Sequence, residues 1–199
     1  MAVYERVSIG SLAQGAVPPG YTFTRSTAAL YVDSDGLLKW SAHNLLLRSE
    51  EFDNASWSKT RSTITANQAT APDGTVTADL FSGTDGATTG YTFQSMSAVS
   101  GTAYAFSVYV KPVNQSAINL TSFTQSGTCS FTLTGSGSVG TPTGVMSSPT
   151  IQSVGDGWYR CSVILTATST ASNNIGYVQN AVAITDAFYL WGAQLEAGP

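Results

Sequence analysis

IQSVGDGWYRCSVILTA, Ile151–Ala167, reads as a strand, a tight turn and a second strand. Apolar and polar residues alternate through both of its halves, as they must on strands with one buried face. Gly155-Asp156-Gly157 stands between the halves, and an Asp-Gly pair between two apolar runs is a hairpin signal. The spacing predicts two antiparallel strands within Ile151–Leu165.

The same period of two recurs on either side. In YAFSVYVKP, Tyr104, Phe106, Val108 and Val110 share one face, Ala105, Ser107 and Tyr109 the other, and Pro112 ends the strand. Ile118, Leu120 and Ser122 fall on one side of INLTSFT; Cys129, Phe131 and Leu133 do so in CSFTL. Upstream, alternation marks strands at 62–66, 75–82 and 89–96, separated by turn sequences at Pro72-Asp73-Gly74 and Thr84-Asp85-Gly86. Gly135–Pro149 and Ser169–Asn174 read as polar loops. NIGYVQNAVAI and DAFYLWGAQLEAG follow, the latter placing Tyr189, Trp191, Ala193 and Leu195 opposite Phe188, Leu190 and Gln194. A strand apolar on both faces belongs at the centre of a sheet, covered on both sides. About eight to ten short strands without helical crossovers define an all-β, antiparallel two-sheet β-sandwich, with the jelly roll a common solution.

Composition agrees. Of 199 residues only 10% are charged, against about 25% in a typical soluble domain, while 42% are hydrophobic. Thr, Ser, Gly and Ala make up the difference, and only Leu45–Glu51 approaches helical spacing. Net charge is -4 with the basic residues scattered singly, so the clustered Lys/Arg footprint of a nucleic-acid binder is missing. No apolar run reaches the ~18 residues that span a bilayer, and MAVYERVSIG has neither the basic start nor the apolar core of a signal peptide. Membrane insertion is not expected. A secreted-looking surface without a leader fits a virion component assembled in the host cytoplasm, or a protein whose leader has been removed.

Two regions follow from texture. Residues 1–43 form an N-terminal arm: an irregular leader broken at Pro18-Pro19-Gly20, then YTFTRSTAALYVDSDGLLKW with a turn at Asp33–Gly36. Residues 44–199 form the sandwich. The arm can bury little by itself, so Tyr4, Val7, Ile9, Leu12, Tyr21, Phe23 and Arg25 are candidates for docking to another surface. Cys129 and Cys161 sit in strand-like runs without zinc-ligand spacing and read as buried thiols, a cross-strand disulfide being the lesser alternative.

No catalytic constellation stands out. His43 is the single histidine, at the junction of the two regions and without a Ser-His-Asp pattern around it. Glu50, Glu51 and Asp53 are too close in sequence to flank a sugar as separate acid and base. A non-enzymatic role is therefore expected. Sugar C–H surfaces pack on exposed aromatic rings while polar neighbours bind hydroxyls. Tyr91, Tyr109, Trp158, Tyr159 and Tyr177 are the candidates for that work or for an interface with another subunit. Tyr109 leads them because its face is otherwise Ala105 and Ser107; Trp57, Phe106, Phe131 and Trp191 are assigned to the core.

Taken in order, NLLLRSEEFDNASW, TAPDGTVTADL, FSVYVKP, GDGWYRCSV and FYLWGAQLEAG resemble the module repeated in phage head-spike and tail-fibre proteins. FTRSTAALYVDSDGLL likewise resembles the segment that precedes that module. The resemblance covers most of the chain from Tyr21 onward. It implies a structural virion protein, head spike or tail fibre, attached through its arm to a capsid vertex, portal or tail. It also implies an oligomer, for which a trimer is the expectation, and adhesion to a host-surface glycan. A looser resemblance, to the jelly-roll carbohydrate-binding modules of glycan-degrading enzymes, implies the alternative of a free-standing carbohydrate-binding module. In that family a structural calcium bridges the first and last strands, and by position Glu51, Asp53 and Glu196 would supply its oxygen ligands. No other cofactor is expected.

Overall fold

The computed structural model describes residues 30–32, 36, 38–40, 44–84, 90–179 and 187–198; for 30–32, 38–40 and 177–179 it describes the backbone alone. The chain divides into two compact units, Met1–Ser41 and Ala42–Pro199. In the first, Leu30–Val32 (β1) and Leu38–Trp40 (β2) pair antiparallel, Leu30 opposite Trp40, and Gly36 takes φ +73° in the connection. The proposed docking residues Tyr4, Val7, Ile9, Leu12, Tyr21, Phe23 and Arg25 lie outside the described residues, as does His43.

The second unit is an all-β sandwich of jelly-roll type. Its strands are Ser58–Thr60 (β3), Ser62–Ala69 (β4), Ala78–Gly83 (β5), Tyr91–Ala98 (β6), Ala103–Pro112 (β7), Ala117–Ser122 (β8), Gly127–Thr132 (β9), Ser138–Val139 (β10), Thr143–Gly144 (β11), Met146–Gly155 (β12), Trp158–Thr166 (β13), Ala171–Gln179 (β14) and Ala187–Ala197 (β15). One sheet runs β10-β9-β8-β14-β6-β3 with β11 also on β9; the other runs β12-β13-β7-β15-β5-β4. Every pairing is antiparallel.

The inward faces of the two sheets meet in one core. Phe106, Val108 and Val110 of β7 face Ile118 and Leu120 of β8 and Phe131 of β9, all fully buried. Phe81 and Phe188 stack with centroids 4.7 Å apart and planes 5° from parallel. Burying such a side chain stabilises by about 1.5–3 kcal/mol. Cys129 and Cys161 are free thiols in this core; burial pushes Cys161 up to about 12, with Cys129 nearby adding to the shift.

The 151–165 hairpin forms about Asp156 with φ +50°. Three sequence expectations are corrected. The polar stretch 135–149 carries β10, β11 and the start of β12, because short Thr/Ser/Gly runs still complete backbone ladders at a sheet edge. Ser169–Asn174 is largely strand, since β14 begins at Ala171. The Leu45–Glu51 run, the one stretch near helical spacing, is neither helix nor strand: Leu45 and Leu46 both pack on the core while Leu47 is exposed. That segment is a turn. The Asn44 side chain accepts from Leu46 N at 3.1 Å and from Leu195 N at 3.0 Å, and Arg48 adopts φ +54°. The segment pairs with the end of β15, Leu45 N donating to Leu195 O at 2.7 Å and Ala193 N to Ser49 O at 2.9 Å.

Candidate functional site

The site is built where β15 breaks its own alternation. Phe188 and Leu190 point into the core, and so do Ala193 and Leu195, which leaves an extra residue between the pairs. The β15–β7 register shifts between Trp191 and Gln194, and Gly192 takes φ +59°. A β-bulge of this kind re-aims side chains. Trp191, expected in the core, is therefore turned onto the outer face of the six-stranded sheet and is only half-buried.

There it meets Tyr109, its register partner on β7. The rings lie 5.4 Å apart at 60°, both half-buried. Gly192 lets them sit so low: a Cβ on it would stand 3.2 Å from Tyr109 Cδ2. On the other side Arg160 is cross-strand from Tyr109. Its guanidinium carbon lies 6.0 Å from the ring centroid, and Nη2 donates to Ser107 Oγ at 3.4 Å. Gln194 hydrogen-bonds the Glu196 carboxylate through its amide nitrogen.

The connection between β4 and β5 forms one wall. Trp191 Nε1 donates to Thr77 Oγ1 at 3.0 Å, and Trp158 Nε1 donates to the Thr70 carbonyl at 3.1 Å. Ala71, Ala78 and Trp158 thus make a small second apolar cluster against which Tyr109, Tyr189 and Trp191 pack. What remains open is a cleft of about 240 Å³ lined by Asn44, Ser49, Tyr109, Trp191, Gly192, Ala193 and Gln194. Pockets that engulf drug-sized ligands measure about 300–1,000 Å³, so this cleft suits one residue of a larger molecule. Aromatic faces bordered by a guanidinium, an amide and hydroxyls can stack an apolar ring face and hydrogen-bond its polar rim.

Of the other candidate aromatics, Trp158 and Tyr159 are buried, at 1% and 6% exposure. Trp158 is roofed by the β4–β5 connection; Tyr159 faces the core and donates to Gly135 O at 2.9 Å. Tyr91 is half-buried on the outer face of the other sheet, beside Phe93 and Phe123 at 6.0 and 5.0 Å and with Arg61 5.4 Å over its ring. Tyr177 lies in β14 opposite Thr92 and Leu120, and its side chain is outside the description. The five aromatics are therefore not one surface. Trp57, Phe106 and Phe131 are buried.

The structure does not bring Glu51, Asp53 and Glu196 together, and no group of three His, Cys, Asp or Glu among the described residues could hold a metal ion. Glu51 pairs with Arg48 at 3.1 Å, and Glu196 is taken by Gln194. Beside Asp53 the local cation is Lys59, whose Nζ donates to the carbonyls of Asp53 at 2.7 Å and Asn54 at 2.6 Å. Burial lowers the pKa of Lys59, while Asp53 and Asp79 pull it up. The donor set does not fit a calcium ion held by those three carboxylates. Asp79 itself is 1% exposed. It accepts from Phe52 N at 2.7 Å and Asn67 N at 3.0 Å, and desolvation raises its pKa against those bonds.

Sequence reasoning reached Tyr109 but missed Trp191, Arg160, Gln194 and Gly192. The signal for the first was Gly192 inside an otherwise apolar strand, a mark of a bulge.

No protein-family model matches the chain, and no curated protein does. Among solved structures it is similar to an arabinose-bound α-L-arabinofuranosidase, with 12% identity over 78% of this chain and 27% of that one, at a TM-score of 0.54. It is also similar to a bacteriophage CBA120 tailspike enzymatically active domain, 12% identical over 78% of this chain and 21% of that one, at 0.48. A xylan-binding domain from Paenibacillus barcinonensis is 15% identical over 79% of this chain and 92% of that one, at 0.46. The chain spans about a quarter of the length of the arabinofuranosidase. At 12% identity the likeness to the arabinofuranosidase is one of fold alone.

Proposed function

We propose that this chain is a glycan-binding module that holds a saccharide without cleaving it. The observation that carries this reading is the Tyr109–Trp191 pair, two neighbouring rings left half-open on an outer sheet face and bordered by Arg160, Ser107 and Gln194. Glu50, Glu51 and Asp53 are exposed on a turn whose salt bridge and hydrogen bonds are satisfied locally, which gives no paired acid and base. Affinity electrophoresis against xylan, arabinan, galactan and bacterial surface polysaccharides tests the reading. At least one of them retards the wild type, and Trp191→Ala and Tyr109→Ala abolish the retardation while leaving a cooperative melt. Retardation by none of them, or retention by both variants, overturns it.

The ordered resemblance to spike and fibre modules supports a virion location for this binding, with residues 1–43 as the docking arm and several weak sites acting together on one particle. The alternative is a free-standing carbohydrate-binding module. Light scattering on the full chain and on residues 44–199 separates them. An oligomer, expected to be a trimer, that the shorter chain cannot form supports the virion reading, and two monomers support the free module.

A further inference from the structure

The charges around the ring pair point to a narrower ligand class. The basic residues of the sandwich are Arg48, Lys59, Arg61, Lys111 and Arg160. Arg48 is neutralised by Glu51, Lys59 is held by two backbone carbonyls, and Arg61 lies over Tyr91 on the opposite sheet. Lys111 and Arg160 remain, and both flank Tyr109. Arg160 is its cross-strand partner, and Lys111 is two residues along the same strand on the same outward face. The Lys111 stem runs against Gly157, where a Cβ would lie 3.5 Å from Lys111 Cε. Neither makes an ion pair among the described residues. Of the carboxylates described on these strands and their hairpin turn, Glu196 is hydrogen-bonded by Gln194 and Asp156 stands in the exposed turn. Among the described residues, these two cations stand beside an open aromatic platform without an ion pair, while the Glu196 carboxylate keeps its charge on the Gln194 side.

We infer that the Tyr109–Trp191 platform takes an acidic glycan, a saccharide whose apolar face rests on the two rings while its ring carboxylate is read at the platform's edge by Arg160, with Lys111 adding charge on the same strand face. A guanidinium binds a carboxylate through a planar fork and an ammonium binds it as a point charge, so the pair provides both direction and attraction. This rests on the glycan reading above, and the test separates the two.

Titration calorimetry compares matched pairs: 3′-sialyllactose against lactose, and trimers of galacturonate, glucuronate and mannuronate against their carboxyl-reduced forms. In at least one pair the acidic member binds tenfold or more tightly at low salt, and the ratio shrinks toward unity at about 0.5 M salt as screening sets in. Arg160→Gln and Lys111→Gln each narrow the ratio roughly five- to tenfold, as expected for a lost charge-assisted hydrogen bond. Arg61→Gln on the other sheet leaves it unchanged. Should Arg160→Gln fail to fold, Lys111→Gln and Arg160→Lys carry the comparison. Equal binding of both members of every pair, or a ratio that moves only with Arg61→Gln, overturns the acidic class and leaves the glycan reading standing. Failure of every sugar, acidic and neutral, together with the polysaccharides above, removes the glycan reading itself.

Discussion

Gly192→Ala is the sharpest test of how the site is built. The glycine holds φ +59° in the bulge of β15, and a Cβ there meets Tyr109 Cδ2 at 3.2 Å and Cε2 at 3.6 Å. The left-handed conformation costs a non-glycine residue about 1–2 kcal/mol. Against that, alanine restricts the unfolded chain and returns about 0.4–1 kcal/mol. The ring contact adds to the cost, because Tyr109 must move by a few tenths of an ångström. A net loss of roughly 1 kcal/mol follows, which lowers Tm by about 2–4 °C in a domain of this size. The displaced ring also forfeits stacking worth about 0.5–1.5 kcal/mol, so saccharide affinity falls about two- to tenfold. Gly101→Ala is the control, since Gly101 has φ +80° with open space around the added methyl. It should lower Tm and spare binding. Thermal melts and calorimetric titration of both variants decide the matter. Unchanged affinity in Gly192→Ala with a lowered Tm would refute the claim that this glycine sets the height of the platform.

Three further outcomes are expected. Asp79 has its folded pKa raised by desolvation, so the folded state holds the proton more tightly than the unfolded chain. Its contribution to stability is then fully present below the ordinary carboxylate range and is lost as pH rises through the raised value. Urea midpoints of wild type and Asp79→Asn from about pH 4.5 to 7 should show the wild-type advantage growing on acidification, and a constant or shrinking difference contradicts this. At neutral pH Asp79→Asn leaves Phe52 N or Asn67 N without an acceptor, a cost of about 1–3 kcal/mol set against relief of the buried charge. Cys161, pushed up to about 12 inside the core, and the equally buried Cys129 should resist a thiol reagent in the native state and both react on unfolding. Native-state labelling of either residue would show that the core opens there. Trp158→Phe keeps an aromatic ring, loses the bond to Thr70, about 1 kcal/mol, and loses further packing because the benzene ring is smaller than the buried indole. Faster amide exchange across Thr70–Thr77 should follow, and unchanged exchange would mean that the tryptophan does not pin this wall.

How much of this the sequence announced depends on how local each cause is. The faces of β7, β8 and β9 were legible because nothing interrupts their alternation: Tyr104, Phe106, Val108 and Val110 are all buried, as are Ile118, Leu120, Cys129 and Phe131. The Asp156-Gly157 turn was legible because its backbone demand is met by two adjacent residues. The burial of Trp158 was not, since it depends on a connection nearly ninety positions away in the chain reaching over the sheet. Trp191 was misplaced for the opposite reason, a one-residue bulge that inverts every face after it. Tyr109 was found because its small neighbours Ala105 and Ser107 could not cover it, whereas Arg160 became part of the site only through strand register. The acidic corner shows the limit of position alone: Glu51 and Asp53 are two residues apart, yet one faces Arg48 while the backbone of the other receives Lys59.

The pairing of Leu45 with Leu195, and of Ser49 with Ala193, has a mechanical meaning. These antiparallel segments bring the entrance and the exit of the sandwich to the same side of one ladder. Tension applied through the two ends would pull across the strands, loading the hydrogen bonds one after another like the teeth of a zip instead of all at once in shear. In such a geometry the weak point is the first bond, Leu45 to Leu195, and the Asn44 side chain, bonded to Leu195 N and to the Ala193 carbonyl, is the latch that holds it shut.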